Sequence, residues 1–503
     1  MKHFYLLALA GALLASCDSG AHKGTADTAA LGTGAPADSF NIQIAPHPPK
    51  DLAPGSDPKL LAEFAWAEFF ALNWQASYPK NGLRDSPDTT WTFASAGAYP
   101  PLAVWETYAH RTELRPAHGP MLPFDQAPHY SFGKTILPYP GSSASFTLFD
   151  NIDENNEIGS CDLYAHADSM NGQPASNRQM VLYQAKVNRD EYDYIKANYG
   201  TSAQLLQAGQ ATAKNIQTDT AYYPGGRGKG ACDCPPGVIC LPCGNTPNPG
   251  GGTYTGAMEV KSAWRQLTAQ DDSSAYFTRK VLYYRQQNGT TYYDNAVFAL
   301  VGLHIIHKTA NYPEFVFATF EHNSVRQKNQ GYRYVLLNNK GQEIPGSAQP
   351  PRTKPILPLT EQATAAAHRK LRGLNPQSVW LNYRLVGVQG TPTADSTAAN
   401  FFLANFVVES DKTLADFHGS GIGTPHNFGP NTLSQGKLLS VGGCQGCHGV
   451  AQLGGHDFSF LLDTVGKPVQ APDIDQTQRT KLLRYVRATA KRPAPAGKAA
   501  GQH

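Results

Sequence analysis

The chain reads as an α+β protein: a body built on a large, mainly antiparallel sheet with helices, followed by a small, mostly helical C-terminal region. Three observations carry that expectation. Runs of β-branched and aromatic residues recur at 180–187, 277–284, 297–306, 315–320, 379–388 and 401–408. Between them lie segments with helix-start and helix-stop signals of their own. The 47 Gly and 37 Pro in 503 residues, against only 16% charged residues, point to many turns rather than to a helical bundle.

The first elements concern export. Met1-Lys2-His3 is a short basic start, residues 4–14 are an apolar stretch, and Leu14-Ala15-Ser16-Cys17 closes it. That pattern resembles a bacterial lipobox, which implies a signal peptide of residues 1–16, cleavage before Cys17 and lipid attachment at Cys17. The apolar run is far short of the roughly 20 residues that span a bilayer, so a retained transmembrane helix is not expected. The expected location is the cell envelope of a bacterium, periplasm-facing or at the surface, with the membrane reached through a lipid anchor in the inner or outer membrane. Residues 17–55, rich in Ala, Gly, Thr and Pro without periodicity, read as a flexible tether.

Order is expected to begin at Ser56-Asp57-Pro58, an N-cap followed by Pro at the first helical position, leading into a helix over 59–74 that is apolar around most of its circumference. From there residues 56–400 form the α+β body. Residues 180–187 read as a strand, Asn188 as an N-cap, 189–199 as a helix and Gly200 as its stop. The strand at 297–306 contains Gly302 and His304, is too short to cross a membrane, and joins 315–320 across Thr309-Ala310-Asn311-Tyr312-Pro313 as a hairpin. Residues 259–267 look helix-like, and Thr360 is placed to cap a helix that Gly373 ends.

Charge and motifs exclude several function classes. Lys plus Arg number 42 and Asp plus Glu 39, so no basic face is implied and no nucleic acid partner is expected. There is no Gly-rich phosphate loop, zinc-protease motif or nucleophile elbow. Glu106, Glu259, Lys261, Arg265 and Glu321 lie beside aromatic residues and read as surface or ion-paired core rather than as a catalytic set.

A Gly/Pro-rich insertion at 225–252 holds Cys232, Cys234, Cys240 and Cys243. In an exported chain these read as two disulfides, and nesting Cys232 with Cys243 and Cys234 with Cys240 suits a hairpin. A zinc or iron–sulfur site has the same ligand number but the wrong compartment. Cys161 is left over.

Residues 401–490 are assigned to a c-type haem region and 491–503 to a disordered tail. The assignment rests on Cys444-Gln445-Gly446-Cys447-His448, the Cys-x-x-Cys-His pattern of covalent haem c attachment. On one helical turn, positions i, i+3 and i+4 share a face, so two thiols can reach two vinyl groups while the imidazole of His448 meets the haem iron. Gly442, Gly443, Gly446 and Gly449 allow close approach of backbone to a ring, Phe458, Phe460, Leu461 and Leu462 are available to cover its edge, and a final helix is expected at 476–490.

At this point the chain resembles a group of large exported bacterial proteins of uncharacterised role, classed only as a cytochrome c family. The residues that carry the resemblance are Phe64-Ala65-Trp66 with Ala71-Leu72-Asn73-Trp74, Val104-Trp105-Glu106-Thr107, Glu259-Val260-Lys261-Ser262-Ala263-Trp264, Leu303-His304-Ile305 with Phe320-Glu321-His322, and Cys447-His448-Gly449 with Asp457-Phe458-Ser459-Phe460-Leu461-Leu462. The resemblance implies one covalent haem on a large body and supplies no substrate. The cysteine insertion around Cys232 departs from its pattern.

None of the five Met follows His448, so the usual downstream Met ligand of small cytochromes c is excluded. Possible distal ligands are His304, in the apolar strand; His456, eight residues after His448; and Met258. Two axial protein ligands favour electron transfer to a redox partner protein, because no iron position is left for substrate. An open position permits a peroxidase-like haem oxidoreductase, and the size of the body also suits a haem-containing binding or sensor module.

Overall fold

The computed structural model describes residues 40–95, 97–114, 120–126, 137–142, 164–167, 179–218, 232–234, 237–269, 271–287, 290–325, 334–337, 358–391, 433–434, 437–438, 444–445, 448, 451–452 and 454–462. Its centre is an antiparallel sheet. The strands are β1 (Ala109–His110), β2 (Leu137–Pro138), β3 (Tyr164–Ala167), β4 (Gln179–Val187), β5 (Met258–Gln266), β6 (Thr278–Gln287), β7 (Thr290–His307), β8 (Val316–His322), β9 (Tyr334–Leu337) and β10 (Tyr383–Gln389). The main path runs β10-β8-β7-β5-β4-β3-β9, with β1 on β4 and with β2 and β6 on β7. Among the described strands only the short β2 pairs in parallel.

β7 is the spine. Its first half pairs with β6 and its second half with β8, while β5 runs along the opposite edge. Val301 is an extra residue there, because Ala263 of β5 faces Gly302 while Trp264 faces Leu300. A bulge of this kind switches the alternation of side chains. It lets Phe298 and Leu300 face the same core as Leu303 and Ile305.

That core lies under helices α1 (Pro58–Leu72) and α5 (Pro358–Leu374). Asp57 caps α1 by accepting from Leu60 N at 2.8 Å, with Pro58 at the first helical position. Trp66, Phe69 and Phe70 from α1 meet Phe320, Trp380 and Phe93 ring to ring. The second face is covered by α3 (Arg189–Asn198), α4 (Ser202–Thr218), the cysteine insertion and residues 444–462, while the short α2 (Arg111–Leu114) packs beside α3. Asn188 caps α3, and its Oδ1 also accepts from Met258 N.

Four expectations shift. The segment expected as helix at 259–267 is strand through Gln266, within β5: Val260 and Trp264 face one core and Glu259 and Lys261 the other, a period of two imposed by pairing on both edges. The helix assigned to Thr360 starts at Pro358, and Thr360 Oγ1 donates instead to Val386 O. Residues 379–382 form a 3₁₀ turn before β10 begins at Tyr383. The α1 helix stops at Leu72, where Asn73 donates to Phe69 O through its side chain. Among the described residues no helix is long and apolar enough to cross a membrane. A fifth expectation shifts at the tether: its residues 40–55 are held on the body, with Phe40 and Ile42 buried in the core, Lys370 Nζ donating to Ile42 O at 2.6 Å and Lys50 Nζ donating to Thr253 O at 2.8 Å, because apolar side chains there have a core to fill. The signal peptide, residues 17–39 with Cys17, Cys161, residues 401–408 and the helix expected at 476–490 lie outside the described residues.

Candidate haem-attachment site

Strand alternation sets two parallel rows of side chains on the second face. One row runs Val187, Glu259, Ile306, Phe317 and Gln389 across β4, β5, β7, β8 and β10. The next runs Ala185, Lys261, His304 and Thr319 across β4, β5, β7 and β8. The described residues between 444 and 462 lie on the first row. Gln445 N donates to Gln389 Oε1 at 2.9 Å, and Gln445 Nε2 donates to Phe315 O at 2.7 Å. The His448 ring packs against Phe317 and Phe460, with centroid separations of 4.7 and 4.8 Å. Phe458, Leu461 and Leu462 are buried in the same cluster as Ile306 and Phe317, with Cys444 packed at its margin.

Two anchors fix this segment. Asp457 accepts from Lys308 Nζ and from Leu241 N, the latter at 2.7 Å, which joins the segment to the end of β7 and to the cysteine insertion. Helix α4 supplies the other. A Cβ at Gly209 would stand 2.6 Å from His456 Nε2, and one at Gly455, where φ is +90°, would stand 2.1 Å from Gly209 O, so glycine is what lets helix and loop touch. The insertion is itself closed by disulfides Cys232–Cys243 and Cys234–Cys240, with Cα separations of 5.5 and 6.0 Å.

Asp457 and Phe458 are consecutive left-handed residues, at φ 47° and 66°. Left-handed backbone costs roughly 1 kcal/mol per non-glycine residue and concentrates at functional sites. Here the turn brings the Phe458 carbonyl to 2.7 Å from His448 Nδ1. A carbonyl only accepts, so Nδ1 carries the proton and Nε2 keeps the lone pair. Burial pushes the His448 pKa down to about 4, and Lys261 adds to the shift against the opposing Phe458 hydrogen bond. The ring is therefore neutral at pH 7. His304 is held well below the usual histidine range by burial, then by Lys261, then by His448.

The structure distributes the other expected ligands unequally. His304 shares the sheet face that carries His448. Met258 lies on the opposite face, in the core under α1, where its sulfur accepts from Tyr108 Oη at 3.9 Å. His456 is buried against Gly209 of α4. Cys447 lies outside the described residues. Glu106, Glu321 and Arg265 are tied in ion pairs with Arg279, Arg384 and Asp271. Among the described residues no group of three His, Cys, Asp or Glu side chains is arranged to hold a metal ion.

Two features of the site had no signal in the sequence. One is the Phe458 carbonyl, since a backbone acceptor aimed by two φ angles leaves no mark on residue type. The other is a buried charge cluster. Glu191 of α3 is buried near Glu259, Asp457 and Lys308, and burial followed by the two neighbouring carboxylates raises the Glu191 pKa well above its usual value. No family model, curated protein or solved structure matches the chain.

Proposed function

We propose that this chain is a c-type cytochrome of the bacterial cell envelope, binding one haem through Cys444, Cys447 and His448 and passing single electrons to a redox partner protein. The Cys-x-x-Cys-His run is the chemical basis. Each thiol S–H adds across one vinyl double bond, so attachment consumes no oxidant. The observation that carries the reading is the 2.7 Å hydrogen bond from His448 Nδ1 to Phe458 O, because it leaves Nε2 as the ring's lone pair and fixes the ring's orientation. A second partner of this kind is what orients metal-bound histidines in general. Neutrality at pH 7 suits the same role. Phe317 and Phe460, both packed against the ring, supply apolar surface. The bound group would supply the ferric–ferrous couple, while the chain holds it, orients it and shields it from water.

The lipobox at Leu14-Ala15-Ser16-Cys17 supports export and a lipid anchor, and haem c attachment takes place on that side of the cytoplasmic membrane. The resemblance to an uncharacterised cytochrome c family belongs to the same reading. The test is expression with haem-attachment machinery, then haem staining of the denatured protein. Wild-type chain is expected to keep its pigment, Cys444→Ala and Cys447→Ala to stain weakly, and the double variant not at all. A colourless wild-type chain, or equal staining in the double variant, overturns the assignment.

A further inference from the structure

We propose that His304 is the second axial ligand of the iron, presented from β7 opposite His448, and that Lys261 beside it faces a haem carboxylate. The proposal rests on the haem reading above and names what completes that site.

The sheet carries it. The row Val187, Glu259, Ile306, Phe317 and Gln389 is buried throughout under residues 444–462. In the adjacent row Ala185, Lys261 and His304 keep accessible surface, although Leu303 and Ile305 on either side of His304 are wholly buried. In the C-terminal segment Cys444, His448 and Phe460 also keep accessible surface, while Phe458, Leu461 and Leu462 are buried. The partly open residues are thus a thiol and imidazole from the C-terminal segment and an imidazole and ammonium from the sheet. His304 lies diagonally across β7 and β8 from Phe317, whose ring is 4.7 Å from that of His448. Diagonal neighbours of that kind are within reach of aromatic side chains, so His304 and His448 both lie beside Phe317.

His307 points to the other face, bonded to Glu68 and Thr255 O; His322 and His368 are bonded to Ala275 O and Tyr383 O. Lys261 is the direct cross-strand partner of His304 between β5 and β7 on the same sheet face, which sets an ammonium beside the imidazole, where a haem carboxylate would meet it.

Two imidazoles leave no iron position for substrate, which gives the site its electron-transfer character. The test uses the holoprotein and the ferric optical and electron paramagnetic resonance spectra. Wild type is expected to be low-spin. His304→Ala is expected to become high-spin, to bind cyanide readily and to return to low spin with added imidazole, while its denatured chain stains for haem as strongly as wild type. His304→Met, which keeps bulk in the strand, is expected to stay six-coordinate with a raised reduction potential. Lys261→Met is expected to lower the potential. His304→Ala with an unchanged low-spin spectrum overturns the proposal, as does loss of the low-spin signal in His456→Ala instead. A wild-type chain without covalent pigment fails the haem reading itself, an outcome the stain separates from a wrong ligand.

Discussion

Asp457→Asn is the perturbation whose cost follows most directly from the structure. Asp457 and Lys308 form an ion pair whose side chains are 4% and 0% exposed. Removing one member of a buried pair costs about 3–5 kcal/mol, because the other charge is left without compensation. Asparagine preserves the shape, tolerates the left-handed φ of 47° and can still accept from Leu241 N, so the charge alone is removed. The Glu191–Glu259 pair lies within reach of Lys308 and can ionise to replace part of the lost charge. The expected cost is therefore at the lower end, about 3 kcal/mol. Urea unfolding of the single variants, of Lys308→Met with Asp457→Asn and of Asp457→Asn with Glu191→Gln measures it. The first double variant should return to within about 1 kcal/mol of wild type, since two neutral groups leave no stranded charge. The second should lose more than the sum of its parts. A single-variant cost under about 1 kcal/mol, or one undiminished by Lys308→Met, would refute the reasoning.

Three further outcomes follow from the same contacts. Gly455→Ala adds a Cβ 2.1 Å from Gly209 O at a φ of +90°, so it is expected to cost about 3 kcal/mol or more and to loosen α4, read by hydrogen exchange in residues 202–218. Reduction of the insertion opens a loop of sequence separation 11, worth about 3 kcal/mol in the chain-entropy account, and should lower the urea midpoint while deprotecting Leu241 N, which donates to Asp457. Glu191 has a folded-state pKa raised above its ordinary value of 4.5, so the contribution it makes to stability is greatest below 4.5 and declines as pH rises toward the folded value. Glu191→Gln should flatten the decline measured between pH 5 and 9, and an unchanged slope would assign it to other groups.

Much of the fold was legible because its signals are local. Asp57-Pro58, Asn188 and the 309–313 turn act through hydrogen bonds with near neighbours, and the structure keeps all three. The segment at 259–267 misled because charged residues at alternate positions of a two-sided strand mimic a helix face; what decides it is pairing with β4 and β7, contacts that no window of sequence contains. The same holds for the site. Cys444 and His448 stand out by spacing, and the nested cysteines by compartment. Which of His304, His456 and Met258 shares a face with His448 depends on register and on the bulge at Val301. The Lys308–Asp457 pair joins residues 149 apart and had no trace in either neighbourhood.

The central claim is that Cys444 and Cys447 hold a porphyrin by covalent bonds, and intact-mass measurement of the denatured, mature chain tests it most directly. Made in a cell competent in haem attachment, the chain is expected to weigh one haem more than its processed polypeptide, and Cys444→Ala with Cys447→Ala to lose that increment. A wild-type chain at the bare polypeptide mass under those conditions would contradict the account.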